Sequence, residues 1–414
     1  MRRTLTVIAL LVAALQPIAV AQGDPVADRY RAYQSALARG DLETAEAAAA
    51  LAFEASEGRD SGSGRTGVLA ANLAQVRIDL GQFEAARAPA RRARALAGPA
   101  EGQTPVAYAD LLVGLANLDG ESSAREMRSA IAAAEANGEI SAHTYNAALR
   151  FGDWALRTER AGDAEYAYDA AVRLAVGDAD PVVVARAEAL VGQGVARAMR
   201  NRDMSGRNRT GTRLAMRPDR DADESLIAAI RLVRPVAERE ASGRVTRAQV
   251  VLGAALSWAH TRRMTLSALG WLDPYAPDDL RSVVVDLDMN DGLPACGARV
   301  ATQPPPDFPS EEIDRHGASA IVLRFVVDAN GAVVGRNVVG TSGTTELARA
   351  TQAIMPQWRV ETDAGCSATR VIFKPVVIVI DDVMNSERIV GGGRGSTRTW
   401  VGRQDRGIIA MTPD

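Results

Sequence analysis

Residues able to do acid–base or covalent chemistry are few and scattered in this chain. His143, His260 and His316 stand far apart, and none belongs to an H-E-x-x-H zinc motif. No serine sits in a G-x-S-x-G elbow; Gly340-Thr341-Ser342-Gly343 is one residue short of it. Glu311-Glu312 and Asp381-Asp382 are neighbours in sequence, so each pair tends to face apart and solvate a surface. His260, within Trp258-Ala259-His260-Thr261, reads as a packed histidine rather than a general base. Lys374 is the only lysine, which excludes a phosphate loop ending in Gly-Lys and nearly every lysine-based mechanism. The expectation is a protein that is not an enzyme, with no catalytic residues, no cofactor, no metal and no small-molecule substrate.

The chemistry that the residues do support is that of the backbone. Ile321, Leu323, Phe325 and Val327 alternate at the period of a strand, and Asp328-Ala329-Asn330-Gly331 supplies a hairpin turn in which Gly331 can take the left-handed conformation. The return strand runs from Ala332 to Val339, and Thr345 to Met355 has the Leu347, Ala350, Ile354 spacing of an amphipathic helix. Thr369 to Ile380 is a third strand, almost wholly β-branched and apolar. Pro375 lies inside it, and proline is found mainly at sheet edges or bulges. Val376, Val377, Ile378, Val379 and Ile380 are therefore a candidate partner-binding edge, where unpaired N–H and C=O groups could take an added strand. Either an extra strand at Val283–Leu287 or the Gly-rich tail could instead cover it.

That order of elements resembles the C-terminal domain of the TonB family of energy transducers, over about eighty residues between 304 and 380. Phe308-Pro309 stands where the family has an aromatic-Pro pair, Gly317 precedes the first strand, Asp328 to Gly331 match the hairpin turn, and Trp358 closes the helix. Ser310-Glu311-Glu312 and Arg359-Val360-Glu361 depart from the family pattern. The resemblance implies capture of an extended segment of an outer-membrane transporter alongside the sheet.

Upstream of that region the chain is helical and repetitive. Turns recur at Gly40-Asp41-Leu42, Gly81-Gln82-Phe83, Asp119-Gly120 and Gly162-Asp163, and Asp24-Pro25, Thr104-Pro105 and Asp180-Pro181 offer helix starts. Leu69, Leu73, Val76 and Leu80 form one apolar stripe; Leu111, Leu115 and Leu118 form the next, answered by Met127, Ile131 and Ala134. Helical hairpins packed through alanine, at a spacing of about 40 residues, resemble a tetratricopeptide-like solenoid with a stretched period. The fold class expected is multi-domain: an all-α solenoid over 25–270, a linker at 271–280, an α+β domain over 281–385, and a Gly/Arg-rich tail without regular structure at 386–414. A mobile Arg-rich loop, 201–221, interrupts the solenoid, and its lack of aromatic residues gives no support to nucleic-acid stacking.

Residues 1–21 read as a cleaved signal peptide, with Arg2-Arg3, an apolar run from Leu5 to Leu15, and Ala19-Val20-Ala21 before Gln22. An uncleaved anchor is the competing reading. Export to a periplasm follows from the first, location at the inner membrane from the second. In an oxidising compartment Cys296 and Cys366 are expected to pair as a disulfide, the alternative being two buried thiols. The net charge of −3 points to neither nucleic acid nor a membrane surface as partner. Two functions remain: a periplasmic adaptor whose partners are envelope proteins, such as outer-membrane transporter segments, or a membrane-anchored TonB-type energy transducer.

Overall fold

The computed structural model of the 414-residue chain describes residues 24–118, 123–138, 141–205, 220–239, 243–268, 298–302, 318–343, 345–362, 369–380, 398–400 and 408–411. The stretches expected to be a leader (1–21), a linker (271–280) and an extra strand (283–287) fall outside the described residues. By packing, the chain divides into two units, Met1–Ala175 and Val176–Asp414. This division falls among the helices, whereas the change from helix to strand comes later. Among the described residues no helix is long and apolar enough to cross a membrane.

The first unit contains α1 (Pro25–Arg39), α2 (Leu42–Asp60), α3 (Gly64–Asp79), α4 (Phe83–Ala95), α5 (Val106–Ala116), α6 (Ser123–Ala136), α7 (Ala142–Arg157) and α8 (Ala161–Leu174). Each helix packs on the next, and α3, α5 and α7 also touch in succession. Local chemistry sets the helix starts. Asp24 accepts from the Val26 N–H at 3.1 Å with Pro25 in the first turn, and Asp41 accepts from the Thr44 N–H at 3.1 Å. Ser63 and Ser141 cap α3 and α7 in the same way, each at 3.2 Å. Gly40 and Gly81 take φ of 76° and 73°, as their turns require.

Gly162 does not form a turn, contrary to the expectation, and lies inside α8. The left-handed residue there is Glu159, at φ 59°, because the chain closes α7 three residues earlier, with the Arg160 N–H donating to the Ala155 carbonyl at 2.8 Å. Leu73 and Val76 are buried with Tyr33, Ala36, Ala45, Ala48 and Ala49, whose small side chains let α1, α2 and α3 approach. Leu80 and Phe83, at the α3–α4 turn, are only half-buried.

The second unit begins with α9 (Asp180–Ser205), α10 (Arg220–Arg239) and α11 (Arg247–Ala268). The ends of the expected Arg-rich loop thus belong to α9 and α10, and residues 206–219 fall outside the described residues. Strands β2 (Ala318–Val327), β3 (Val333–Thr341), β5 (Arg370–Ile380), β6 (Arg398–Trp400) and β7 (Ile408–Met411) form one sheet in the order β3-β2-β5-β7-β6. All neighbours in it are antiparallel. A separate ladder joins β1 (Ala298–Thr302) to β4 (Arg359–Thr362). Two stretches of the tail expected to lack structure are therefore strands.

Both faces of the sheet are covered. Ile321, Leu323, Phe325 and Val327 pack with Leu347 of α12 (Thr345–Ile354) and with Met355, Trp358 and Ile372. Val322 and Val339 join the core of α9, α10 and α11, with Phe373 packed against it. The sequence predicts only the first face as core. The second is buried because Ala320, Val322 and Val326 complete an apolar run in which Arg324 is the one interruption. At the α11–β3 crossing the backbones nearly touch: a Cβ on Gly253 would sit 2.7 Å from the carbonyl carbon and oxygen of Val339. Gly340 faces the Gly253 backbone in return. Beside this crossing, Ser342 Oγ lies 2.6 Å from Thr261 Oγ1 and accepts from the Ala320 N–H at 2.9 Å. Arg262 is buried in an ion pair with Asp223.

Candidate functional site

The hairpin turn is built by a side chain. Asp328 Oδ1 accepts from the Asn330 N–H at 2.9 Å and the Ala332 N–H at 2.8 Å, while the Gly331 N–H donates to the Asp328 carbonyl at 3.0 Å. Gly331 has φ 80°, which favours glycine. Trp358 is 4% exposed and sits in the core beneath α12. Its carbonyl accepts from Arg336 Nη1 at 3.0 Å. Asp328, Gly331 and Trp358 thus shape the sheet. Phe308, Pro309, Gly317, His316, Cys296 and Cys366 fall outside the described residues.

The two long edges of the β3-β2-β5 core differ. On β3, Gln352 of α12 acts like a strand: its Oε1 accepts from the Val338 N–H at 2.6 Å and its Nε2 donates to the Arg336 carbonyl at 3.5 Å. One side-chain amide thereby occupies the outward groups of two residues and blunts this edge. On β5 the outer side takes a strand. Val377, Ile378, Val379 and Ile380 pair with Met411, Ala410, Ile409 and Ile408 of β7, which in turn pairs with β6. The candidate edge at 376–380 is therefore occupied from Val377 onward by the chain's own C-terminal segment. β7 stops short of Pro375, which is buried, lacks an N–H and stands opposite Val322 of β2.

A polar network in the first unit went unread in the sequence. Asp79 accepts from Gln75 Nε2 at 2.9 Å and forms an ion pair with Arg150, and Tyr108 donates to Gln75 Oε1 at 3.2 Å. The Tyr108 ring stacks on His143, with centroids 4.2 Å apart. Burial pushes the Asp79 carboxyl above the usual carboxylate range, against the pull of Arg150, and pushes the Tyr108 phenol up strongly. Burial also holds the His143 imidazole below its ordinary value. These groups satisfy one another across α3, α5 and α7, so the arrangement holds helices together. Its signal in the sequence was Gln75 and Asp79, polar residues one helical turn apart on a helix with an apolar stripe.

The two remaining candidates for chemistry are structural in their surroundings. Ser342 is 7% exposed, with its hydroxyl held by Thr261 and Ala320, and His260 is 2% exposed within α11. Among the described residues, no group of three or more His, Cys, Asp or Glu could hold a metal ion. Compared with protein-family models and with curated proteins, the sequence matches none.

Proposed function

We propose that this chain is an exported adaptor of the cell envelope. Its helical hairpins, read as a tetratricopeptide-like solenoid, hold one protein, and its TonB-like sheet takes an extended segment of another by strand addition. The observation that carries this reading is the asymmetry of the sheet. Gln352 blunts the β3 edge, whereas β5 takes an added strand along Val377–Ile380. An added strand gains affinity from main-chain hydrogen bonds, so an edge already compatible with one occupant suits another of similar character.

The test is hydrogen exchange on the full chain, titrated with synthetic peptides taken from the periplasm-facing N-termini of outer-membrane transporters. Because β7 already pairs with 377–380, the expected result is that residues 370–376 gain protection, 377–380 keep theirs and 408–411 lose theirs. A peptide that binds elsewhere on the chain, or no binding by any peptide, overturns strand addition as the function.

A further inference from the structure

The occupant of the β5 edge comes from the chain itself, and this has a consequence for how the edge can be used. β7 pairs with only four residues of β5 and is joined to it through residues 381–407. With four residues paired to β5 and three to β6, β7 has a short ladder on each side. As part of the same chain it competes with any free peptide intramolecularly, and so short a ladder leaves it open to displacement. The segment also shows what the edge accepts. Ile408-Ile409-Ala410-Met411 is uncharged and aliphatic, and it runs antiparallel to β5. Charged residues flank it at Asp405, Arg406 and Asp414, and none lies within the paired stretch.

We propose that β7 is a built-in competitor for the partner edge: it keeps Val377–Ile380 paired until an extended, uncharged aliphatic segment, antiparallel to β5, displaces it. This rests on the strand-addition reading of the β5 edge. It also accounts for how the apolar run Val376–Ile380 of β5 avoids pairing with other chains in the absence of a partner, since β7 and β6 lie outside it.

The experiment uses the full chain, an Ile409→Pro variant and a conservative Ile409→Val control. Proline removes an N–H and breaks the β7 ladder without touching β2, β3 or β5. The probe is a synthetic peptide of residues 406–413. In the wild type, amides of 377–380 are expected to be protected and the peptide to bind weakly. In Ile409→Pro those amides should exchange fast, and the peptide should bind about tenfold tighter or better and restore protection, because the competent state is no longer a minor one. Ile409→Val should behave as the wild type. Truncation after Asn385 should reproduce the proline result, and the α-helical circular dichroism of each variant should match the wild type.

Unchanged protection in Ile409→Pro would overturn the pairing of β7. Equal peptide affinity in the wild type and both opened variants would leave strand addition standing and remove the competition. Exposed amides that no peptide protects would leave β7 as a permanent part of the sheet and would remove the partner edge itself. Protection that rises with protein concentration would assign the strand to a second copy and overturn the intrachain arrangement.

Discussion

Gly253→Ala sets two effects of known sign against each other. Alanine in a helix interior is favoured over glycine by about 0.8–1.0 kcal/mol. At position 253, however, the new methyl would lie 2.7 Å from Val339 carbonyl atoms and 2.9 Å from the Gly340 nitrogen, all of them backbone. Ordinary contact begins at 3.4 Å, so α11 and β3 must part by about 0.7 Å, the difference of 3.4 and 2.7. No flexible side chain can yield instead. Separation also loosens Leu252, Leu256, Val322 and Val339, which share the core at this crossing. Overpacking of this kind costs about 1–3 kcal/mol, occasionally more. The clash offsets or outweighs the propensity gain, and a net loss of about 0–2 kcal/mol is expected. Gly58→Ala is the control, since Gly58 is exposed in α2 with nothing within 4 Å of the added Cβ. There propensity acts alone, and a gain of up to about 1 kcal/mol is expected. Urea titration followed by circular dichroism, with amide exchange to localise the change to α11 and β3, reads both. If Gly253→Ala stabilises the chain as Gly58→Ala does, the close helix–strand approach is refuted.

Three further outcomes follow from the same structure. Leu73→Ala, at a site 3% exposed among Tyr33, Ala45 and Val76, should cost about 2–5 kcal/mol; a urea midpoint equal to the wild type would remove the alanine-packed core of α1 to α3. His143 is held below its ordinary 6.5 by burial, so from that lowered value up to 6.5 the unfolded chain binds a proton that the folded chain refuses. Its contribution is complete above 6.5 and is lost as pH falls; His143→Phe should flatten the loss of stability on acidification, and an unchanged slope would contradict this. Finally, Ala298 stands opposite Thr362 in the antiparallel β1–β4 ladder, Cys296 precedes the first by two residues, and Cys366 follows the second by four. In sequence both cysteines adjoin the same end of one ladder, and non-reducing peptide mapping of the protein produced in an oxidising compartment should find one linked pair. Two alkylatable thiols would refute it, and reduction of the bond should cost roughly 4 kcal/mol on the chain-entropy account.

Local chemistry made much of this protein legible in one dimension. Asp24-Pro25 and Asp41 act on backbone groups two or three residues away and were legible, whereas Ser63 and Ser141 went unread and Pro105, not Thr104, stands at the N-cap of α5 without a side-chain cap. The Asp328–Gly331 turn is equally local, since one aspartate and one left-handed glycine suffice to make it. Apolar residues recurring at helical spacing marked Leu73, Leu111 and Ile131 as core, and all three are buried.

What depended on residues far apart in the chain was not legible. Alternation in β2 marked Ile321, Leu323, Phe325 and Val327, but a strand covered on both faces loses the contrast that makes alternation informative; only α11 decides that Val322 is core. Gly253 and Gly340 are unremarkable singly, and their meaning lies in a contact between positions 87 residues apart, 340 less 253. Gln75, Asp79, Tyr108 and Arg150 look like ordinary surface polar residues until three helices bring them together and burial makes their mutual hydrogen bonds necessary. The β5 edge was read from Pro375 and its apolar run, but its occupant was not. Four residues near the end of a Gly/Arg-rich tail have too weak a pattern to declare a strand; β7 exists because β5 offers unpaired backbone groups that only the assembled sheet presents.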